Sequence, residues 1–191
     1  MKNFYSARDH KSMKDVAMDK KASGPELYYY MLRGGKEKTN ITIWETGKVG
    51  LEYIKSYGHY HIGDISETYM ILQGAGILLL QKRKTGADGK PIDEEIDEFK
   101  AISVKAGDQI FIGPYMAHLL ANTGNTWLVV SDDSPIHGDD ADPIGKPGHA
   151  DYKPVKKMGG FAYFVIEKDG VPTLVKNPNY KSVPEATISS M

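Results

Sequence analysis

Hydrophobic and polar positions alternate with a period of two along much of this chain. TNITIW (39–44) and EFKAISV (98–104) read as half-buried strands, with successive side chains on opposite faces. ILLL (77–80) and WLVV (127–130) are continuous apolar runs, the pattern of strands covered on both faces. Further short runs rich in β-branched and aromatic residues fall at 27–32, 51–54, 68–72, 109–112, 162–166 and 173–175. Turn residues separate them. RGGK joins the first two strands, TGADGKPIDEEIDE (85–98) reads as a long acidic hairpin tip, and KAGD (105–108) reads as a tight turn. Many short strands punctuated by Gly, Pro and Asp predict an all-β fold, a barrel or a sandwich.

The ends differ in texture. Residues 1–24 are polar and mixed in charge, and read as a short N-terminal helix or arm lying on the body, closed off by Gly24-Pro25. The barrel domain is expected over 25–180, with a loosely attached tail over 181–191. Residues 132–159 have no apolar periodicity and are dense in Pro, Gly and Asp. A loop of that length in a compact domain is expected to be functional, here as a lid over the site.

Composition narrows the chemistry. The chain has 191 residues and a net charge of −1, so no global basic excess recruits nucleic acid. It has no cysteine, which removes disulfides, thiolate metal sites and cysteine nucleophiles together. No apolar run approaches the roughly 18 residues of a membrane helix, and the N-terminal stretch lacks a signal-peptide core. These features predict a cytoplasmic protein that engages neither membrane nor nucleic acid.

The informative segment is Gly58-His59-Tyr60-His61-Ile62-Gly63-Asp64-Ile65-Ser66-Glu67. Two His at i and i+2 share one face of a strand. Glu67 follows a turn, at the start of the next strand, where antiparallel pairing returns it to the imidazoles. His118 stands on a later strand after Gly113-Pro114-Tyr115. Three neutral imidazoles and a carboxylate suit a divalent transition metal: Fe, Mn, Ni, Co or Zn. Gly107-Asp108 and Gly74 complete two motifs, H-x-H-x5-E-x6-G and G-D-x4-G-P-x3-H, which resemble those of the cupin superfamily. That resemblance implies a jelly-roll-like β-barrel with the metal inside.

Within the cupins, GKVGLEYIKSYGHYH (47–61), ETYMILQGAGILLLQ (67–81), GPYMAHLLANTG (113–124), GHADY (148–152) and NPNY (177–180) are similar to the cupin-type glucose-6-phosphate isomerases. The resemblance implies a homodimeric enzyme acting on a phosphorylated hexose, with His59, His61, Glu67 and His118 as ligands to one metal per subunit, Fe2+ first among the candidates. It implies substrate binding by Tyr28, Thr42, Ser56 and Gly58 at the phosphate, and by Tyr69 and Tyr115 at the sugar. Glu67, His149 and Tyr152 are implied in catalysis. The chain departs from the family pattern twice: the His61–Glu67 spacing is one residue shorter, and Ala150 adds one residue between His149 and Tyr152.

These residue types fit the chemistry. Hydroxyls donate to a phosphate, and a glycine lets a backbone N–H approach it. No nucleotide-binding glycine fingerprint occurs. Isomerisation proceeds either through an enediol, with Glu67 as base, or by a hydride shift between C1 and C2. The rival readings are a cupin iron dioxygenase, another sugar-phosphate isomerase, and a non-catalytic sugar-phosphate-binding cupin. Residues 1–24 are too short to add a helix-turn-helix to such a sensor.

Overall fold

The alternation at 39–44 sets Asn40, Thr42 and Trp44 on one face and Ile41 and Ile43 on the other. The computed structural model describes residues 5–34, 39–134 and 149–191. From the N-terminus come β1 (Tyr5–Asp9), α1 (His10–Met13), a 3-10 turn (Lys14–Val16), β2 (Leu27–Leu32), β3 (Asn40–Trp44), β4 (Lys48–Val49), β5 (Glu52–Tyr53) and β6 (Tyr60–His61). Then follow β7 (Glu67–Gln73), β8 (Ala75–Thr85), β9 (Pro91–Lys105), β10 (Gln109–Ile112), β11 (Ala117–Asn122) and β12 (Leu128–Asp132). The remainder is β13 (Ala150–Asp151), α2 (Lys153–Lys157), β14 (Tyr163–Lys168), β15 (Val171–Lys176) and β16 (Ile188–Ser190).

The strands form a six-stranded sheet, β1-β2-β3-β12-β7-β10, and a four-stranded sheet, β11-β8-β9-β16. Two smaller sheets, β13-β6 and β15-β14-β5-β4, complete the structure. Ile71, Ile112 and Val130 of the first sheet share one hydrophobic cluster with Leu78, Val104 and Leu120 of the second. The all-β, jelly-roll-like expectation holds. Among the described residues, however, hydrogen bonding runs in separate sheets around this core and does not close into one ring.

Local readings divide. Ile77–Leu80 is buried throughout, as its unbroken apolar run predicts. WLVV is not: Leu128 and Val130 point inward, while Trp127 is 51% exposed and its indole N–H donates to Glu45. The acidic stretch is not a hairpin tip either. β8 and β9 stay paired up to Thr85 and Pro91, so the tip shrinks to residues 86–90. The acids extend the ladder because cations face them: Lys82 with Glu98, Arg83 with Asp93 and Lys84 with Glu95.

The terminal segments are fastened more firmly than polar composition suggests. β1 pairs along β2, and Met13 and Val16 are fully buried. Asp9 caps α1 by accepting from Ser12 N. At the other end Tyr180 and Val183 are buried, Ser182 O accepts from Ile96 N, and β16 runs parallel to β9. The tail after Asn177 is therefore part of the packed fold. The lid expected at 132–159 falls largely on 135–148, outside the described residues.

Candidate active site

Two strands bring the imidazoles together, and a third brings Glu67. His59 and His61 lie two residues apart beside β6, and His59 bridges His118 on β11 through paired backbone hydrogen bonds of 3.3 and 3.2 Å. The ring centroids are 4.4 Å apart for His59 and His118, 5.2 Å for His59 and His61, and 5.1 Å for His61 and His118. One nitrogen from each ring lies within 4.8 Å of the others. Glu67 opens β7, and its Oε1 sits 2.9 Å from His118 Nε2 and 3.7 Å from His61 Nε2. The short His61–Glu67 connection thus still delivers the carboxylate.

The donor set fits a metal ion. His61 Nε2, His118 Nε2 and Glu67 Oε1 are buried, face one another and have no other hydrogen-bond partner. Buried polar atoms of this kind are ordinarily satisfied, so three that converge with no other partner mark a place that suits a cation. Burial, reinforced by His118 and His61, holds the His59 imidazole well below its usual range; burial and His118 lower that of His61. Both rings are therefore neutral, with lone pairs to donate. Burial pushes the Glu67 carboxyl up, but His118 and His61 outweigh it and leave it below the usual carboxylate range.

Gly58 leads into the cluster with φ +78°, and a Cβ there would collide with the fully buried Phe161 ring. Further along the chain, His149 O accepts from Ile62 N at 2.8 Å, and β13 pairs with β6, Ala150 opposite His61. The segment carrying His149 and Tyr152 is thereby stitched to the strand that carries a ligand.

A pocket opens above His59, Glu67 and His118. Of the residues expected there, Thr42, Ser56, Gly58, Tyr69 and Tyr152 line it. Ser56 Oγ accepts from Leu120 N, and the Tyr152 ring packs edge-on against Tyr57 and 5.4 Å from His59. Four expected residues do not line it, among them His61, which borders a neighbouring hollow. Tyr28 points to the other face of β2, where it bonds with His10 at 3.1 Å. Tyr29 takes its place in the pocket, stacked on Trp44. Tyr115 is 56% exposed and borders a separate hollow with Tyr60, Lys82 and Arg83. His149 contributes its backbone to the β6 edge and is absent from the lining.

The pocket also holds residues that the motifs did not signal: Met31, Arg33, Asp132 and Ser134. Tyr29, Met31 and Arg33 follow the period of two along β2 and just beyond it. The alternation named this face once Tyr29 was chosen over Tyr28. Burial, with Glu67 adding to it, holds the Asp132 carboxyl above its usual range and the Tyr69 hydroxyl well above its own.

The fold and the cluster together define an all-β protein with three imidazoles and a carboxylate gathered between its sheets, a group that could hold a metal ion. The family model described as Glucose-6-phosphate isomerase (GPI) matches residues 29–182. The chain belongs to the glucose-6-phosphate isomerase family. It is 31% identical over 188 residues to the glucose-6-phosphate isomerase of Pyrococcus abyssi, covering 95% of this chain and 85% of that one. It is 32% identical to that of Thermococcus onnurineus and 33% to that of Thermococcus kodakarensis, over 74% and 73% of this chain. Those two matches span 63% and 62% of the relatives' own lengths. Among the described residues, no helix is long and apolar enough to cross a membrane.

Proposed function

We propose that this chain interconverts glucose 6-phosphate and fructose 6-phosphate with a divalent metal, Fe2+ first, held by His59, His61, Glu67 and His118. The observation that carries the reading is the convergence of three imidazoles and the Glu67 carboxylate, with His61 Nε2, His118 Nε2 and Glu67 Oε1 otherwise unpartnered, beside a pocket rich in hydroxyls. When bound, the metal supplies a Lewis acid that polarises the sugar carbonyl. Tyr29, Thr42 and Ser56, with the backbone at Gly58, hold the phosphate; the Tyr29 hydroxyl already accepts from Tyr57 N beside this stretch. Tyr69 and Tyr152 flank the sugar.

Glu67 is the carboxylate beside the three imidazoles. In the enediol route it takes the proton from C2 and returns one at C1. In the hydride-shift route it stays a ligand and hydrogen passes between the carbons. Solvent deuterium at C2 of the glucose 6-phosphate formed marks the first route, and full retention of substrate hydrogen marks the second.

Fructose 6-phosphate supplied to metal-reconstituted protein yields glucose 6-phosphate on this reading. A chelated sample and Glu67→Gln lose nearly all of that activity. Oxygen uptake with a phenol or thiol, without sugar-phosphate turnover, would replace this reading with the dioxygenase one.

The protein is proposed to work as a cytoplasmic homodimer in glycolysis and gluconeogenesis. Support for pairing comes from the outer face of the six-stranded sheet, where Tyr5, Leu32, Met70, Leu72 and Phe111 are each more than 40% exposed. Phe111→Lys should halve the mass seen in sedimentation; an unchanged monomer in both proteins counts against pairing.

A further inference from the structure

We propose that Asp132 reads a hydroxyl of the sugar, as a specificity-determining carboxylate outside the metal ligands and the phosphate set. The inference rests on the functional reading above and adds to it. Asp132 ends β12 on the inward face, is only 7% exposed, and lines the same pocket as His59, Glu67 and His118.

A carboxylate removed that far from water needs its lone pairs matched. One oxygen is matched: Oδ1 accepts from Asn40 Nδ2 at 2.9 Å and from Ser134 N at 3.2 Å. Among the described residues, Oδ2 receives no hydrogen bond and no cation lies within ion-pair distance. The side chain is also fixed from both flanks. Asn40 lies opposite it on β3, and Tyr69, which also lines the pocket, lies opposite it on β7. An anchored carboxylate with one open oxygen is an acceptor waiting for a donor. The open-chain hexose brings hydroxyls on C3, C4 and C5, next to the carbons that react. A buried acceptor built for such a hydroxyl penalises a sugar that lacks it, because its own lone pair is then left unmatched.

The test compares kcat/KM of metal-loaded wild type, Asp132→Ala and Asp132→Asn on fructose 6-phosphate and on its 3-deoxy, 4-deoxy and 5-deoxy analogues. Wild type should prefer the full sugar to one analogue by about 10- to 100-fold, the range of a charge-assisted hydrogen bond. Asp132→Ala should lose that factor on the full sugar and leave the matching analogue unchanged, so the preference collapses. Asp132→Asn keeps an oxygen for Asn40 but not the charge, and should fall between. It decides the test if the alanine variant does not fold. Bound metal and melting temperature are read beside the kinetics, and both should stay near wild type in Asp132→Asn. Equal loss on every substrate, or an unchanged preference, overturns the role of Asp132 while leaving the isomerase reading intact. Absence of wild-type turnover overturns the isomerase reading, and this inference with it.

Discussion

Replacing Lys55 should unfasten the N-terminal segment from the strand that leads into the metal cluster. Lys55 and Glu52 are each 3% exposed and 2.5 Å apart. Lys55 also donates to Val16 O at 2.7 Å, and Glu52 Oε2 accepts from Met18 N at 2.8 Å. The pair therefore ties residues 16–18 to the stretch running on to Ser56 and His59. Lys55→Met leaves a buried carboxylate without its cation and the Val16 carbonyl without a donor. Removing one partner of such a pair costs about 3–5 kcal/mol. At roughly 2–4 °C per kcal/mol for a domain of this size, the melting temperature should fall by about 6–20 °C. The double variant Glu52→Gln/Lys55→Met removes the stranded charge while its amide oxygen still accepts from Met18 N. It should recover a large part of the loss, giving a coupling of more than about 1 kcal/mol in a double-mutant cycle. Urea unfolding of the four proteins measures this. A single variant that loses under about 1 kcal/mol, or a double variant as unstable as the single, refutes the reasoning.

Two further predictions follow from the site itself. Gly58→Ala forces a Cβ into a left-handed backbone and against Phe161, which should cost about 2–5 kcal/mol in denaturant unfolding; a loss under about 1 kcal/mol contradicts the assigned fit. In the metal-free protein, His59 and His61 are neutral bases whose folded pKa lies below the unfolded value of 6.5. Below that pH the unfolded chain takes up protons that the folded chain refuses. Stability is then complete above pH 6.5 and is lost as pH falls, by at most about 1.4 kcal/mol per unit for each ring. Thermal melts from pH 7.5 to 5.5 in chelator should show the fall. His59→Asn/His61→Asn should flatten it, and a pH-independent wild type contradicts it.

The approach of His59, His61 and Glu67 was legible in the sequence because its geometry is local: two imidazoles at i and i+2, and a turn that returns Glu67 to them; His118 joins from a distant strand, which only the second motif signalled. The pocket wall was less so. TNITIW suggests a core face built from its isoleucines, yet Asn40 and Trp44 are the buried pair and Ile41 and Ile43 lie on the outer face. Polar pocket residues and an apolar outer face reverse the usual sign of the alternation, and the same reversal hid Tyr29, Arg33 and Asp132. In YYY, both Tyr28 and Tyr29 are buried because the N-terminal arm covers the outer face through His10. Periodicity on β2 alone does not reveal that cover. The acidic stretch at 93–98 went unread for a similar reason: its partners Lys82, Arg83 and Lys84 stand on the neighbouring strand, at separations no local pattern reports.

Titration of Fe2+ into chelator-stripped protein under anaerobic conditions, with an X-ray absorption spectrum of the loaded sample, addresses the metal centre most directly. The account predicts about one ion per chain bound through several imidazole nitrogens and a carboxylate oxygen, and affinity reduced more than about 100-fold in a folded His118→Gln variant. Stoichiometric binding that persists unchanged in that variant, or a spectrum without imidazole ligation, would contradict it.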